Sequence, residues 1–243
     1  MTTLAKKVAI LQSCYIPWKG FFDLVRRVDE FILYDDAQYT KRDWRNRNRI
    51  KTPHGPLWLT VPVEVKGKYL DAIKDMRVSD PHWNERHWRS IQASYSRAPY
   101  FDRYKPVLEE LFRGCTSEWL SEINFRFISH FCETLSIETT LKWSMDYTLS
   151  DKRTERLVDL CRQARATEYL TGPAARAYID ADLFEAAGIT LTYMDYNGYP
   201  EYEQLHPPFD HHVSIIDLLV HVGPSAIAHM LPLPVRGETE RTA

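Results

Sequence analysis

The sequence predicts an α/β fold: a mostly parallel sheet of the Rossmann or nucleotidyltransferase-like type, with an inserted helical region and a basic β-hairpin. Three observations support it. Short apolar runs alternate with a helix-like run near the N-terminus, the hydrophobic spacing becomes helical from about residue 81, and strand-like and helix-like runs alternate again beyond residue 165. We therefore expect one α/β domain over residues 1–230, whose sheet is assembled from both ends of the chain. The helical insertion is expected at about 81–145, and a flexible tail at 231–243.

The N-terminal stretch predicts a βαβ unit. Residues 7–11 (KVAIL) form a short apolar run typical of a buried strand, residues 20–28 have helical spacing, and residues 29–38 predict a second strand that ends in acids. Units of this kind give parallel sheets, and functional groups collect at the carboxyl ends of their strands. Residues 12–20 and 35–38 are therefore expected at a functional site.

A basic segment follows the βαβ unit. Residues 41–51 (KRDWRNRNRIK) contain six basic residues in a chain whose net charge is only −2, so any affinity for anions must be local. As a strand, the segment would place alternate side chains on opposite faces. One face would hold Arg45, Arg47, Arg49 and Lys51, and the other Trp44, Asn46, Asn48 and Ile50.

The hairpin is completed by a turn at 53–56 (PHGP) and a strand over 57–63. An edge strand protected by charge is the structural alternative. Tryptophan and asparagine opposite the arginines favour a ligand, because arginine forks bind phosphate while amides and indoles suit sugars or bases. We therefore expect this hairpin to bind an anionic ligand.

The remaining elements follow from the hydrophobic spacing. Helices are predicted within 82–95, 103–112, 117–135, 153–165, 175–187 and 213–223, and strands at 168–170 and 190–195.

Several loops carry candidate functional residues. The loop QSCYIPWKGFF supplies Gln12, Tyr15 and Trp18 as binding candidates, although it matches no known phosphate-binding loop. The segment YDDAQ supplies Asp35 and Asp36 as candidate catalytic bases, with Gln38 as a binding candidate. A solvated strand end would explain the two acids equally well.

Three later segments are weaker candidates. Lys152 lies at the predicted start of a helix, where a cation opposes the helix dipole unless an anion is near. Gly172 and Tyr178 belong to a strand–turn–helix segment that could line the same cleft as the first loop. The triplet at 210–212 (DHH) is more typical of a surface loop than of a metal site, so we expect no metal site and identify no cofactor.

The cellular setting follows from composition. The four cysteines are scattered with no CxxC pair, which favours neither a zinc site nor a disulfide framework. The apolar run near the N-terminus is too short for a signal peptide, and no stretch reaches the roughly 18 apolar residues of a membrane span. We expect a soluble cytoplasmic protein.

Five segments together resemble the WbqC-like family. They are residues 10–25, 28–63, 94–101, 169–180 and 214–223, and the block YDDAQYTKRDWRNRNRIKT is the most specific. The resemblance runs in order over roughly residues 8–225 and carries over these motif residues: Gln12, Tyr15, Pro17, Trp18, Gly20, Asp35, Asp36, Gln38, Trp44, Arg45, Asn46, Arg47, Asn48, Lys51, Trp58, Gly172, Pro173 and Tyr178.

Members of that family occur among bacterial genes for O-antigen, the lipopolysaccharide side chain, and other surface glycans. The resemblance therefore implies a cytoplasmic role in tailoring an activated sugar. A fainter likeness connects residues 7–38 with nucleotidyl-transferring folds. The histidine signature of those enzymes is absent between Met1 and Arg49, so adenylation is not expected.

The sequence and the resemblance together lead to one functional hypothesis. It is a transferase that moves an acyl or aminoacyl group, for example from aminoacyl-tRNA, to the amine of a nucleotide-linked amino sugar. The arginines would bind the diphosphate, and Asp35 or Asp36 would accept the proton. The alternatives are a nucleotidyl- or glycosyl-transfer enzyme that uses Mg²⁺, and a non-catalytic binding subunit of a glycan-assembly complex.

Overall fold

A computed structural model describes residues 5–68, 70–149 and 153–233 and confirms the α/β prediction. The strands are β1 (Lys7–Leu11), β2 (Glu30–Leu33), β3 (Arg47–Thr52), β4 (Gly55–Thr60), β5 (Thr140–Trp143), β6 (Glu168–Thr171) and β7 (Thr190–Tyr193). The α-helices of the described residues are α1 (Lys19–Val25), α2 (Trp83–Tyr95), α3 (Phe101–Arg113), α4 (Leu120–Thr134), α5 (Arg153–Gln163), α6 (Ala181–Ala186) and α7 (Ile215–Val222).

The main sheet has five strands in the order β5-β2-β1-β6-β7, and every neighbouring pair is parallel. The first strand is central, the next two sheet strands extend to one side, and the last two extend to the other. This is the doubly wound order 3-2-1-4-5, whose direction reverses between β1 and β6. Ligands of such sheets bind outside the carboxyl ends of the strands at the reversal point.

Both faces of the sheet are covered, which explains the continuous apolar runs of the central strands. Val8 and Ile10 point to one face and pack in a cluster with Leu160 of α5 and Phe184 of α6. Ala9 points to the other face and belongs to the larger core. That core is built with α1, α2, α3, α4 and α7.

The basic hairpin is a separate two-stranded antiparallel sheet formed by β3 and β4. It is attached to the core through buried residues. Ile50 is fully buried, the amide of Lys51 donates to the Tyr95 hydroxyl of α2, and the carbonyl of Arg49 accepts from the amide of Ser214 at the start of α7. The hairpin is therefore fixed against the helical layer.

Two predicted elements differ from the structure. The helical region at 81–145 also contains β5, an edge strand that pairs with β2 and was not predicted. The helix predicted over 175–187 divides into a 3₁₀ turn at Pro173–Ala177 and the short helix α6. The division occurs because the Asp180 side chain caps α6 by accepting a hydrogen bond from the amide of Asp182.

Within the described residues, no helix is both long enough and apolar enough to cross a bilayer. Most of the predicted tail, residues 234–243, lies outside the described part of the chain.

Candidate functional site

Three predicted residues follow neighbouring strands at the same edge of the sheet. Gln12 follows β1, Asp35 lies two residues beyond β2, and Gly172 follows β6. Because β1 pairs in parallel with both β2 and β6, their carboxyl ends meet at one edge. Gln12, Asp35 and Gly172 therefore lie at one edge of the sheet.

A large open cleft lies at the same edge, beside the ends of β6 and β7, with a volume of about 1080 Å³. That volume would accommodate a ligand of nucleotide-sugar size. The residues that line it are Trp18, Pro173, Arg176, Leu191, Thr192, Tyr193, Met194, Asp195, Tyr196, Asn197, Gly198, Tyr199, His211 and His212.

Trp18 forms one wall of the cleft, in the loop between β1 and α1. Its ring is stacked with His212 at a centroid distance of 5.6 Å and an interplanar angle of 26°, and it also contacts Tyr196 and Tyr199. The ring lies directly over Gly20, where an added Cβ would be only 2.2 Å from Trp18 Cζ2. Glycine is therefore required for this placement of the indole.

Arg176 is the arginine that lines the cleft. It is exposed, and its guanidinium lies 4.0 Å from the centre of the Tyr193 ring, which holds the charge over an aromatic surface. At the rim, the Asp195 carboxylate accepts hydrogen bonds from the amide and side chain of Asn197. The cleft thus combines one arginine, several aromatic rings and amide groups.

His211 lines the cleft, and the buried Lys19 lies within electrostatic range of it. Lys19 is buried, donates to the carbonyls of Pro200 and His229, and lies 4.7 Å from the centre of the Tyr199 ring. Burial removes water from the ammonium and lowers the pKa of Lys19 to about 8. Burial, followed by the charge of Lys19, also lowers the pKa of His211 below its usual 6.5.

The imidazole of His211 is therefore neutral at neutral pH. Its Nδ1 atom is buried and has no hydrogen-bond partner among the described residues. A neutral imidazole that lines a cleft can accept a proton. His211 lines the cleft and is therefore a candidate base.

The hairpin bears a second surface beside the cleft, which we call the arginine–tryptophan patch: Trp44, Arg47, Arg49 and Trp58. The two indoles are 5.3 Å apart between ring centroids, and each is 40% exposed. Arg47 lies 4.2 Å from the centre of the Trp58 ring. Arg49 donates to the carbonyl of His212 at 2.9 Å, which joins the patch to the cleft wall.

The predicted division of the basic segment into two faces is wrong before residue 47. The strand begins only at Arg47, because Asp43 forms a turn in which its carboxylate accepts from the Thr40 hydroxyl and the Trp44 amide. Arg45 consequently points inward and donates to the carbonyls of Gln12 and Ser13. Trp44, predicted opposite the arginines, lies on their side.

Three other predicted residues of the basic segment, Asn46, Asn48 and Lys51, are buried and bind the protein itself. Asn46 donates to the carbonyl of Val61, and Asn48 donates to the carbonyl of Ile16 at 2.9 Å. Ile16 has a φ of 37°, which is a strained conformation for a β-branched residue. Because Asn48 binds the carbonyl of this residue, it helps to hold the loop that carries Trp18. Lys51 is buried and donates to Gln204.

The two predicted acids are held in protein networks. Asp35 is fully buried and accepts from the Ser13 amide at 2.9 Å and from the Ser121 hydroxyl. Burial raises its pKa above the usual value. Asp36 forms an ion pair with Lys74 at 2.5 Å and accepts from the Ser144 hydroxyl. Neither carboxylate lines the cleft.

The remaining predicted residues have varied positions. Tyr15 is fully buried, and its hydroxyl is hydrogen bonded to His87 at 2.9 Å, which is a core position. Gln38 forms an isolated bridge with Ala72, and Tyr178 is exposed within electrostatic range of Arg45. Lys152 lies outside the described residues.

Sequence reasoning missed much of the cleft. The segment 193–199 (YMDYNGY) supplies half of the lining residues, and its signal was a cluster of aromatic and turn-forming residues that begins within the predicted strand 190–195. The triplet at 210–212 predicts a surface loop rather than a metal site, and its two histidines line the cleft. In the described part of the chain, no group of three or more His, Cys, Asp or Glu side chains is placed to hold a metal ion.

Residues 12–229 match the family described as "WbqC-like protein family". The chain is 49% identical over 221 residues to a Mycobacterium tuberculosis protein described as "Uncharacterized protein Rv1507c", an alignment that covers 91% of this chain and 96% of the relative. No solved structure matches the chain.

Proposed function

The chain belongs to the WbqC-like protein family, and from that premise we propose that it is a transferase acting on a nucleotide-linked amino sugar in bacterial surface-glycan biosynthesis. The reaction is the transfer of an acyl or aminoacyl group to the amine of the sugar. Activated sugars of this kind are cytoplasmic, and we place the protein in that compartment.

The observation that carries this proposal is the cleft of about 1080 Å³ at the carboxyl edge of a doubly wound sheet. Its position follows the general rule for ligand sites in such sheets. Its lining supports the substrate class, because a nucleoside diphosphate sugar needs stacking surfaces, amides and a cation. Trp18, Tyr196 and Asn197 offer the first two, and Arg176 offers the third.

In the proposed reaction, the sugar amine attacks the acyl carbonyl carbon of the donor. The nitrogen–carbon bond forms, the bond from that carbon to the donor's leaving group breaks, and His211 accepts the proton released by the amine. The leaving group then takes a proton. The neutral state of His211 supports this role, since a protonated imidazole could not act as the base.

Asp35 and Asp36 are assigned positioning roles in this proposal. The buried carboxylate of Asp35 fixes the loop after β1 through Ser13 and connects it to α4 through Ser121. Asp36 connects the end of β2 to Lys74 and Ser144. Both acids thus support the edge of the sheet on which the cleft is built.

A ligand screen tests the proposal. Purified protein would be melted with UDP- and dTDP-linked amino sugars, with their N-acetylated forms and with the parent nucleotides. A ligand present at about 100 times its Kd adds roughly 2.7 kcal/mol of stability. We expect the amino-sugar nucleotides to stabilise the protein and the Arg176→Ala variant to lose that stabilisation.

Turnover is then tested by adding acyl-CoA or aminoacyl-tRNA and detecting the N-acylated sugar by mass spectrometry. If none of the sugar nucleotides stabilises the protein, the proposal is overturned. Tight binding without turnover of any donor would indicate a binding subunit instead, and a Mg²⁺-dependent release of pyrophosphate or nucleotide would indicate the nucleotidyl- or glycosyl-transfer alternative.

A further inference from the structure

We propose that the arginine–tryptophan patch binds a nucleotide, with the base on the two indoles and a phosphate on Arg47, and that this nucleotide is the handle of the acyl donor. The role of this nucleotide as part of the donor rests on the function proposed above, whereas the nucleotide site itself does not. Two donor classes share this chemistry: coenzyme A, through its adenosine bisphosphate, and aminoacyl-RNA, through its single-stranded end.

Arg47 is the first reason. Within the described part of the chain it forms no ion pair, and its Nε atom is buried without a hydrogen-bond partner. One Nη2 hydrogen bond to the carbonyl of Arg42 orients the guanidinium but leaves its charge uncompensated. The Nε atom is buried, so the Nη atoms are the part of this guanidinium that a phosphate would contact, through charge-assisted hydrogen bonds.

The two indoles are the second reason. Trp44 and Trp58 each leave 40% of their surface exposed, although both rings lie together on a small hairpin. Their centroids are 5.3 Å apart and their planes differ by 40°. Arg47 lies over one side of the Trp58 ring, so a base would stack on the exposed part of the two indoles. Exposed tryptophan beside arginine is the combination on which nucleotide bases stack.

The position of the patch is the third reason. Arg49 lies 5.6 Å from the centre of the Trp58 ring and donates to the carbonyl of His212. His212 is stacked on Trp18 in the cleft wall. A nucleotide on the patch is therefore next to the cleft in which the sugar amine would react, as a transferase with two substrates requires.

The chain provides a matched control elsewhere on its surface. Arg77 lies 5.2 Å from the centre of the Trp119 ring, and Trp119 is 37% exposed, close to the 40% of the two patch tryptophans. Arg77, however, forms an ion pair with Glu118. This pair has the same aromatic and cationic groups but a compensated charge, so it should not bind phosphate.

Calorimetric titration of the full chain tests the inference with two probes, adenosine 3′,5′-bisphosphate and the single-stranded RNA trinucleotide CCA. We expect at least one probe to bind, and Trp58→Ala and Trp44→Ala to weaken it about 5- to 150-fold each. Arg47→Gln should weaken it by about tenfold or more. For the RNA probe it should also reduce the slope of log K against log salt by about 0.7. Trp119→Ala and Arg77→Gln should bind as the wild type does.

Binding of the bisphosphate alone identifies coenzyme A as the donor class, and binding of the trinucleotide alone identifies RNA. Three results would overturn the inference: no binding of either probe, equal loss in the control variants, or displacement of the probe by a sugar nucleotide whose own binding requires Trp58. Failure of the sugar screen with intact probe binding would overturn the proposed function and leave the nucleotide site standing. Thermal melting of each variant establishes that a loss of binding is not a loss of fold.

Discussion

His212 is stacked on Trp18 and, through its carbonyl, accepts a hydrogen bond from Arg49. Three segments that are distant in sequence are joined at this point: the loop after β1, the basic hairpin and the segment before α7. The cleft wall therefore depends on the hairpin even though no hairpin residue lines the cleft. Changes in any of the three segments should affect ligand binding.

The first prediction concerns the support of Trp18. Gly20→Ala should displace the indole, because the new Cβ would be 2.2 Å from Cζ2, and should destabilise the fold by about 1–3 kcal/mol. Helix propensity alone would favour alanine over glycine in α1, so a loss of stability in this variant would have to come from the clash with Trp18. Gly172→Ala is the control, since its Cβ would be 4.0 Å from the nearest atom. Urea denaturation measures both variants, and equal stabilities would contradict the prediction.

The second prediction concerns the charge in the cleft. Arg176→Ala should weaken binding of an amino-sugar nucleotide by about 1.5–3 kcal/mol, the range for a hydrogen bond to a charged group. Arg162→Ala, on the exposed surface of α5, should change it by less than about 0.5 kcal/mol. Calorimetry measures both values. If Arg176→Ala binds as tightly as the wild type, the phosphate lies elsewhere.

The third prediction concerns Lys19 and pH. The pKa of Lys19 is about 8 in the folded protein, whereas the ordinary lysine value of 10.5 applies to the unfolded chain. Between pH 8 and 10.5 the unfolded chain therefore holds a proton that the folded chain has released. The free energy of unfolding should therefore gain a contribution that rises with pH over this window, by at most about 1.4 kcal/mol per pH unit, and that is lost as pH falls through 8.

The variant Lys19→Met removes this contribution. The difference in unfolding free energy between the wild type and Lys19→Met should therefore increase in favour of the wild type from pH 8 to 10. Urea denaturation at several pH values measures it. A constant difference would show that Lys19 remains charged in the folded protein.

The fourth prediction concerns the proton acceptor. The ring signals of His211, assigned by comparison with His211→Gln, should titrate in an NMR experiment with a pKa below 6.5, because the imidazole is desolvated and near the Lys19 charge. Once the donor is known, His211→Gln should lower turnover by roughly 10²–10⁴ with little change in sugar-nucleotide affinity. His54→Gln, in the exposed hairpin turn, should retain turnover. A His211→Gln variant with full turnover would exclude this residue as the base.

The fifth prediction separates the two acids from catalysis. Asp35→Asn should destabilise the fold by about 1–3 kcal/mol. The two carboxylate oxygens accept from the Ser13 amide and the Ser121 hydroxyl, and asparagine replaces one of these oxygens with an NH₂ group, which cannot accept a hydrogen bond. Asp36→Asn should cost about 1 kcal/mol or less, since it weakens a partly exposed ion pair with Lys74. Turnover per folded molecule should persist in both. A stable variant of either acid without turnover would restore the catalytic interpretation.

Much of the fold could be predicted from the sequence because its signals are local. The strands β1 and β2 are buried on both faces, so their apolar runs are continuous, and the helices after residue 81 keep helical spacing. The strand β5 gave no such signal. It is a four-residue edge strand, TLKW, with alternately exposed side chains, and only its pairing with β2 defines it.

The site was less predictable because it depends on tertiary contacts. The composition of residues 41–51 correctly indicated a cationic surface, but strand alternation could not show that Asp43 forms a turn and sends Arg45 inward. Asn46 and Asn48 of the same segment are buried and donate hydrogen bonds to carbonyls of other segments. Composition cannot distinguish this role from ligand binding. Residues such as His211 become candidates only when the fold brings them to the end of β7.

The strand order also has a consequence for how the chain is made. The central strand β1 is synthesised first, yet its partner β6 begins only at Glu168, and contacts such as that of Lys6 with Thr167 join residues 161 positions apart. At ribosomal speeds of about 5–20 residues per second, one edge of β1 waits roughly 8–30 seconds for that partner. During this time the apolar run VAIL is exposed to other nascent chains. Expression of truncated chains that end before β6 should therefore yield aggregates, and the chaperone demand of the full chain should end with the emergence of β6.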